Sequence, residues 1–419
     1  MSQPNLSPTR HWSLAILGCG LLIVGVVYPG FGQVVIVDLP SNDPPSTPEL
    51  LWLAAPSNAN TANSLPAPPE TSVDEDPAYG CCDADAGCGD CPNGCSCGCP
   101  KGCSAGCSCG CGGGKAVKAA AKSHKILFYD NDFSYLLDPC YSDCYLGDSL
   151  KRLSAGHCMT LDVGGQFRLR QHSERNHRKL GLTGNDDDFL LYRTRLYANA
   201  EIGDGLRAYA EMIDAVSNYE TFSPRPIEEN RTDLLNLFGD VRLHNGSGGE
   251  LWARLGRQEL LYGAERTVSP LDWANTRRTF EGYKAFWKGD CWNVDAFWTR
   301  PVVTDVRNFD SPNYDQQFMG VYASRHGCKD RIVDLYYLRL DNDAADFDYH
   351  TFGGRIFKEH GPWMLEVEAA YQFGDFEVFD HSAGAWTCGL GRKFDNLHWK
   401  PTLWAYYDWA SGSDEINNG

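Results

Sequence analysis

Leu161-Asp-Val-Gly-Gly-Gln-Phe-Arg-Leu-Arg170 sets Leu161, Val163, Phe167 and Leu169 at odd positions and Asp162, Gln166, Arg168 and Arg170 at even ones. Successive side chains of a β-strand point to opposite faces, so this run has one oily face and one polar face. A helix would scatter both sets around its surface. The alternation recurs from Leu190 to Ile202, where Leu190, Tyr192, Leu196, Ala198 and Ile202 oppose Arg193, Arg195, Asn199 and Glu201. It recurs from Trp363 to Phe373, where Trp363, Leu365, Val367, Ala369, Tyr371 and Phe373 oppose Glu366, Glu368 and Gln372. Further strands are predicted to begin near Leu206, Leu234, Leu251, Phe280, Trp292, Phe318, Ile332, Tyr349, Ala383 and Trp399, about thirteen in all.

A soluble β-sandwich also alternates, so the connections between strands must decide the solvent. Short turns are expected at 203–205, 245–249, 289–290, 327–330 and 359–362, and long links near 171–188, 217–232, 259–278, 301–316 and 374–382. Tight turns alternating with long loops are the pattern of an antiparallel transmembrane β-barrel. Trp287, Trp292, Trp298, Trp363, Trp399 and Trp409 lie toward strand ends, as interfacial aromatic girdles require. The barrel is therefore expected over 158–419. With the first strand starting on the short-turn side, a thirteenth ends on the opposite side, whereas bacterial barrels have an even strand number. The sequence is thus expected to be a fragment that lacks several carboxy-terminal strands.

Upstream, Arg10 and His11 precede an apolar run from Trp12 to Tyr28 and then Gly30-Phe31-Gly32, which predicts a signal peptide over 1–32 and export. Residues 33–80, rich in Pro, Ser, Asn and Asp, are expected to form a disordered linker. Cys81 to Cys111 holds eleven cysteines, with Gly-Cys-Ser-Cys-Gly-Cys at Gly94 and again at Gly106. In an oxidising compartment such a segment forms disulfides within or between chains; metal binding through thiolates and a plain spacer are the other readings. Residues 112–157 are a linker followed by an aromatic, acidic lead-in. The net charge of −18 argues against nucleic acid as a partner, which needs a basic face.

Gly256-Arg-Gln-Glu-Leu-Leu-Tyr-Gly263, Glu265-Arg266 and Ser269-Pro-Leu-Asp-Trp-Ala-Asn-Thr-Arg-Arg-Thr-Phe280 resemble the signature of the alginate export family. Leu161 to Arg170 and Asp187 to Ala198 resemble that family's opening strands, and the cysteine segment with Phe128-Tyr-Asp-Asn-Asp-Phe-Ser-Tyr135 is similar to its planctomycete branch. The resemblance implies an outer-membrane barrel of about eighteen strands, and passage of an anionic polysaccharide or small anions through an arginine-lined constriction.

The polar positions of the strands supply candidates for such a lining: Arg168, Arg170, Arg193, Arg195, Arg207, Arg242, Arg254 and Lys284, against Asp162, Glu201, Glu211 and Asp240. Fixed cations in a narrow pore stabilise a partly dehydrated anion, and a guanidinium grips a carboxylate with two hydrogen bonds. The competing reading is cross-strand ion pairs that stiffen the wall. Glu366, Glu368 and Asp408 suggest an acidic far wall. Arg257, Arg266, Arg277 and Arg278 belong to a long segment, 257–278, for which two placements stay open: folded into the lumen as a constriction, or external. Two rival functions are a structural envelope protein held by its cysteines, and an enzyme using Glu265 and Asp272 as an acid/base pair on a glycan. No cofactor or metal is expected.

Overall fold

A computed structural model describes residues 21–27, 122–138, 141, 146–156, 158–175, 186–328 and 331–412. Thirteen long strands follow one another: β1 Met159–Glu174, β2 Asp187–Ile202, β3 Leu206–Asn218, β4 Asn230–Gly246, β5 Gly249–Gln258, β6 Phe280–Gly289, β7 Trp292–Val303, β8 Gln316–Cys328, β9 Arg331–Asn342, β10 Phe347–His360, β11 Trp363–Phe376, β12 Phe379–Lys393 and β13 Thr402–Ala410. Each pairs antiparallel with the next in one continuous sheet. All thirteen expected strands are present. The expected linker and cysteine segment lie outside the described residues, as does the expected signal peptide save Leu21–Val27. That strand runs antiparallel to β13, with Leu21 opposite Asp408 and Val27 opposite Thr402.

The two faces of the sheet have exchanged the roles they play in a soluble protein. Phe167, Leu169, Leu196, Leu237, Leu255, Leu335, Phe352 and Leu390 stand on the outer face, each more than half exposed. Arg193, Arg195, Glu211, Asn236 and Glu366 on the other face are buried. An oily surface this extensive is stable only against lipid, which excludes the sandwich. No helix among the described residues is long and apolar enough to cross a membrane; the strands do so.

Two expectations about connections are corrected. The link expected to be long near 374–382 is the two-residue turn Glu377–Val378, because β11 and β12 stay paired outward to Phe376 and Phe379. Gly374, Asp375 and Asp380 look like loop residues, yet they belong to the part of the hairpin that continues past the oily belt into water, where ladder hydrogen bonds need no apolar side chains. The strand expected from Trp399 starts at Thr402, since Pro401 has no N–H to give to the ladder.

What buries the polar face is protein. The lead-in lies against β2 to β5 through short 3-10 turns at Phe128–Asp130 and Ser134–Leu137, with Leu127, Tyr129, Phe133 and Tyr135 buried. Tyr129 packs edge-on against Tyr209 and Phe238, at ring distances of 5.6 and 5.2 Å. Beside it lies the connection 259–279.

Candidate functional site: a loop riveted to the polar wall

Loop 259–279 leaves β5 at Gln258 and re-enters the sheet at Phe280, both fully buried and opposite each other in register. Its first anchor is cationic. Arg168 donates to the carbonyls of Asp272 (2.8 Å) and Ala274, and Arg170 donates to that of Trp273. Arg193 donates to Asp272 Oδ1 at 2.9 Å, and Arg277 from the loop itself donates to the same oxygen and to Glu259. Glu259 in turn accepts from Asn236 at 3.0 Å and faces Arg195 at 3.6 Å. The buried Asn275 amide donates to the carbonyls of Tyr192 and Glu228, both at 2.9 Å.

The middle of the loop rests on an aromatic column. Tyr262 stacks on Tyr322 at 4.6 Å and Tyr322 on Tyr336 at 5.5 Å. The Tyr262 hydroxyl donates to Asp295 at 2.8 Å. Next to it Gly263 takes φ +58, and a Cβ there would come within 2.5 Å of the Tyr322 hydroxyl, so only glycine fits both the turn and the stack.

The tip reaches the far wall. Arg266 donates to Glu366 (3.0 Å) and Glu368 (2.9 Å) on β11. Glu366 also accepts from Arg355 at 2.7 Å and from the Tyr406 hydroxyl at 2.9 Å. The loop therefore ties β1 and β2 to β11 and β13 across the inner face, and the placement left open by sequence is resolved as inward. The far wall has Glu366 and Glu368, as expected, but Arg266 and Arg355 compensate them.

The remaining candidates lie apart from this loop anchor. Arg195, Arg207 and Arg254 form a second group against the lead-in: Arg195 pairs with Glu211 at 2.6 Å, and Arg254 grips Asp240 with two bonds of 2.7 and 2.9 Å. Arg207 donates to Asn199 at 2.6 Å. Arg242 pairs with Glu250 at 3.0 Å beside the short turn after β4, and Lys284 with Asp295 at 3.1 Å. Arg257 stands apart. It is opposite Leu237 and shares the parity of Leu255, so its register belongs to the oily face, where Asp233, Glu281 and the Asp310 carbonyl hold it at the rim. Membership of the loop motif concealed that parity. Arg278 is half-buried, and among the described residues its guanidinium has no carboxylate partner.

Burial pushes the Asp272 carboxyl up, but Arg277 and Arg193 outweigh it and hold it at about 2. Burial raises Glu265, and the hydrogen bond from Ser269 at 2.8 Å opposes that shift without cancelling it. Arginines thus take Asp272 below the ordinary carboxylate range, whereas burial leaves Glu265 above it. Sequence reasoning gave no role to Asn275, Glu259 or Tyr262, although all three lie within the quoted motif; their partners are on strands remote in sequence.

The family model for alginate export matches residues 159–419. Comparison with curated proteins finds no match. Among solved structures, OpdO of Pseudomonas aeruginosa is 12% identical, with a TM-score of 0.41 over 61% of this chain and 65% of that one. A BenF-like porin from Pseudomonas fluorescens Pf-5 is 10% identical, with a TM-score of 0.42 over 62% and 73%. OccK2 (OpdF) of Pseudomonas aeruginosa in complex with glucuronate is 12% identical, with a TM-score of 0.39 over 61% and 65%. The chain thus spans 65% of the length of OpdO. A match over this much of the sequence, on a sheet that turns oily residues to lipid and polar ones inward, shows that the chain belongs to the alginate export family of outer-membrane β-barrel proteins.

Proposed function

We propose that this protein is a channel that favours anions and passes an anionic polysaccharide, or small anions, through a lumen that loop 259–279, fastened to the wall of β1 and β2, narrows to a constriction. One observation carries the reading: Arg168, Arg170, Arg193 and Arg277 converge on Asp272–Ala274, where Asp272 and Glu259 are the carboxylates they bind. Four guanidiniums on two carboxylates leave an excess of positive charge, to which Arg278 adds. The partly exposed Arg168 and Arg170 can replace the lost hydration of a passing anion, with the buried Arg193 and Arg277 adding charge behind them, and guanidinium geometry suits the carboxylates of a uronate chain. Outer-membrane lipid is the partner of the oily face. The reading as a non-enzyme is supported by Asp272: bound by two arginines, it stays ionised at neutral pH and is a poor proton shuttle.

The test is current block in planar bilayers. Oligouronates added to one side should interrupt the current at concentrations where neutral oligosaccharides of equal length do not; equal block by both would remove the anionic substrate from the account. Cross-linking through Cys81–Cys111 is a separate proposal from sequence alone, and non-reducing electrophoresis showing monomer only would count against it.

A further inference from the structure

Loop 259–279 reaches the second arginine group only at Glu259, 3.6 Å from Arg195. What covers Arg195, Arg207 and Arg254 is the lead-in. The Phe128 ring lies 3.8 Å from the Arg195 guanidinium. Arg254 is sandwiched between Phe238 at 3.6 Å and Tyr129 at 4.6 Å, and Arg207 donates to the Tyr129 carbonyl. The buried Tyr129 hydroxyl donates to the Glu259 carbonyl at 2.7 Å, and Arg277 donates to the Ile126 carbonyl at 3.4 Å. Apart from the short pairing of Leu153–Ser154 with β1, no described part of the lead-in joins the sheet ladder. Its seat is made of side chains, and so it can be lost without breaking a strand.

The seated segment also changes the charge that the lumen meets. Phe128 and Tyr129 cover guanidiniums, while Asp130 and Asp132 of the same segment are exposed. Stacking on aromatic rings stabilises a desolvated guanidinium, so the covered arginines stay charged but hidden.

We propose that Phe128 to Asp132 is an internal plug that sets the width and ion preference of the short-turn half of the lumen, hiding Arg195 and Arg254 and showing carboxylates in their place. The plug's effect on permeation rests on the channel reading above; its seating does not. Unseating it widens the lumen and strengthens anion preference. Removing its charge alone, by Asp130→Asn with Asp132→Asn, raises anion preference at nearly constant conductance.

The experiment uses the full chain and two readouts. Arginine modification by phenylglyoxal, mapped by mass spectrometry, reports seating without any current. Conductance and reversal potential report permeation. In Phe128→Ala/Tyr129→Ala, Arg254 modification should rise severalfold and conductance should increase. Tyr129→Phe, which keeps the ring and preserves folding, should raise Arg254 modification by about fivefold, the equivalent of one buried hydrogen bond. Increased modification without any current would retain the plug and remove the channel reading. Unchanged Arg254 modification in Tyr129→Phe, or unchanged conductance in a folded and conducting double variant, would overturn the plug.

Discussion

Arg168 and Arg193 stand directly opposite each other across the β1–β2 ladder, and both donate to the carbonyl of Asp272. Like charges placed opposite in a sheet repel, so these strands pair poorly unless something neutralises the couple. The loop does so with the Asp272 carboxylate and with carbonyls from Asp272 to Ala274. The cations of the proposed anion path are thus also what fasten the loop, and the loop's position and the wall's charge cannot be varied independently.

Asp272→Asn should loosen that fastening. A hydrogen bond to a charged group contributes about 1.5–3 kcal/mol, and the half-exposed Asp272 side chain belongs at the lower end of that range. The variant should melt at lower temperature by heat-modified electrophoretic mobility. Its reversal potential should move further toward the anion limit, because a negative charge has left a site where positive charge already predominates.

The pH dependence of the anchor has a definite sign. Asp272 titrates at about 2, below the usual value of about 3.9, so its contribution is complete above about pH 4 and is lost as pH falls through about 2. Acrylamide quenching of Trp273 fluorescence should show no loosening from this group between pH 7 and about 4. Loosening should appear on further acidification. In Asp272→Asn that acid transition should be absent.

At the far wall the acid matters more than the base. Glu366→Gln removes the carboxylate that the buried Arg355 and the loop's Arg266 share, leaving Arg355 with Asp334 and Arg266 with Glu368, so the cost should fall below the ~3–5 kcal/mol of a fully broken buried pair. Arg266→Ala leaves Glu366 still bound by Arg355 and Tyr406 and should cost much less. Urea unfolding in vesicles should rank the variants in that order.

Leu255→Arg tests the lipid-facing assignment. Leu255 is 59% exposed on the oily face, and an arginine near the bilayer midplane of a barrel costs about 2–4 kcal/mol. Insertion into vesicles should fall sharply, whereas Leu255→Ala should insert nearly as well as the unaltered chain.

The strands were legible because each carries its own evidence: alternation in Leu161 to Arg170 or Trp363 to Phe373 is complete within ten or so residues. Their ends were less so, since Asp375 and Asp380 pair like any strand residues once the chain has left the oily belt. The arginines of the polar face were legible by parity, and Arg257 shows the limit, because a residue taken from a motif without its register can lie on the other face. The partners were not legible. Nothing near Arg266 in sequence points to Glu366, and nothing near Glu259 points to Tyr129, because those contacts exist only once the sheet curves enough for loop and lead-in to lie inside it.

The most direct test of the account is the reversal potential of the unaltered protein in a planar bilayer under a potassium chloride gradient. A loop anchor with four arginines on two carboxylates predicts measurable conductance with a reversal potential displaced toward that of chloride. Absence of conductance, or displacement toward potassium, would contradict it.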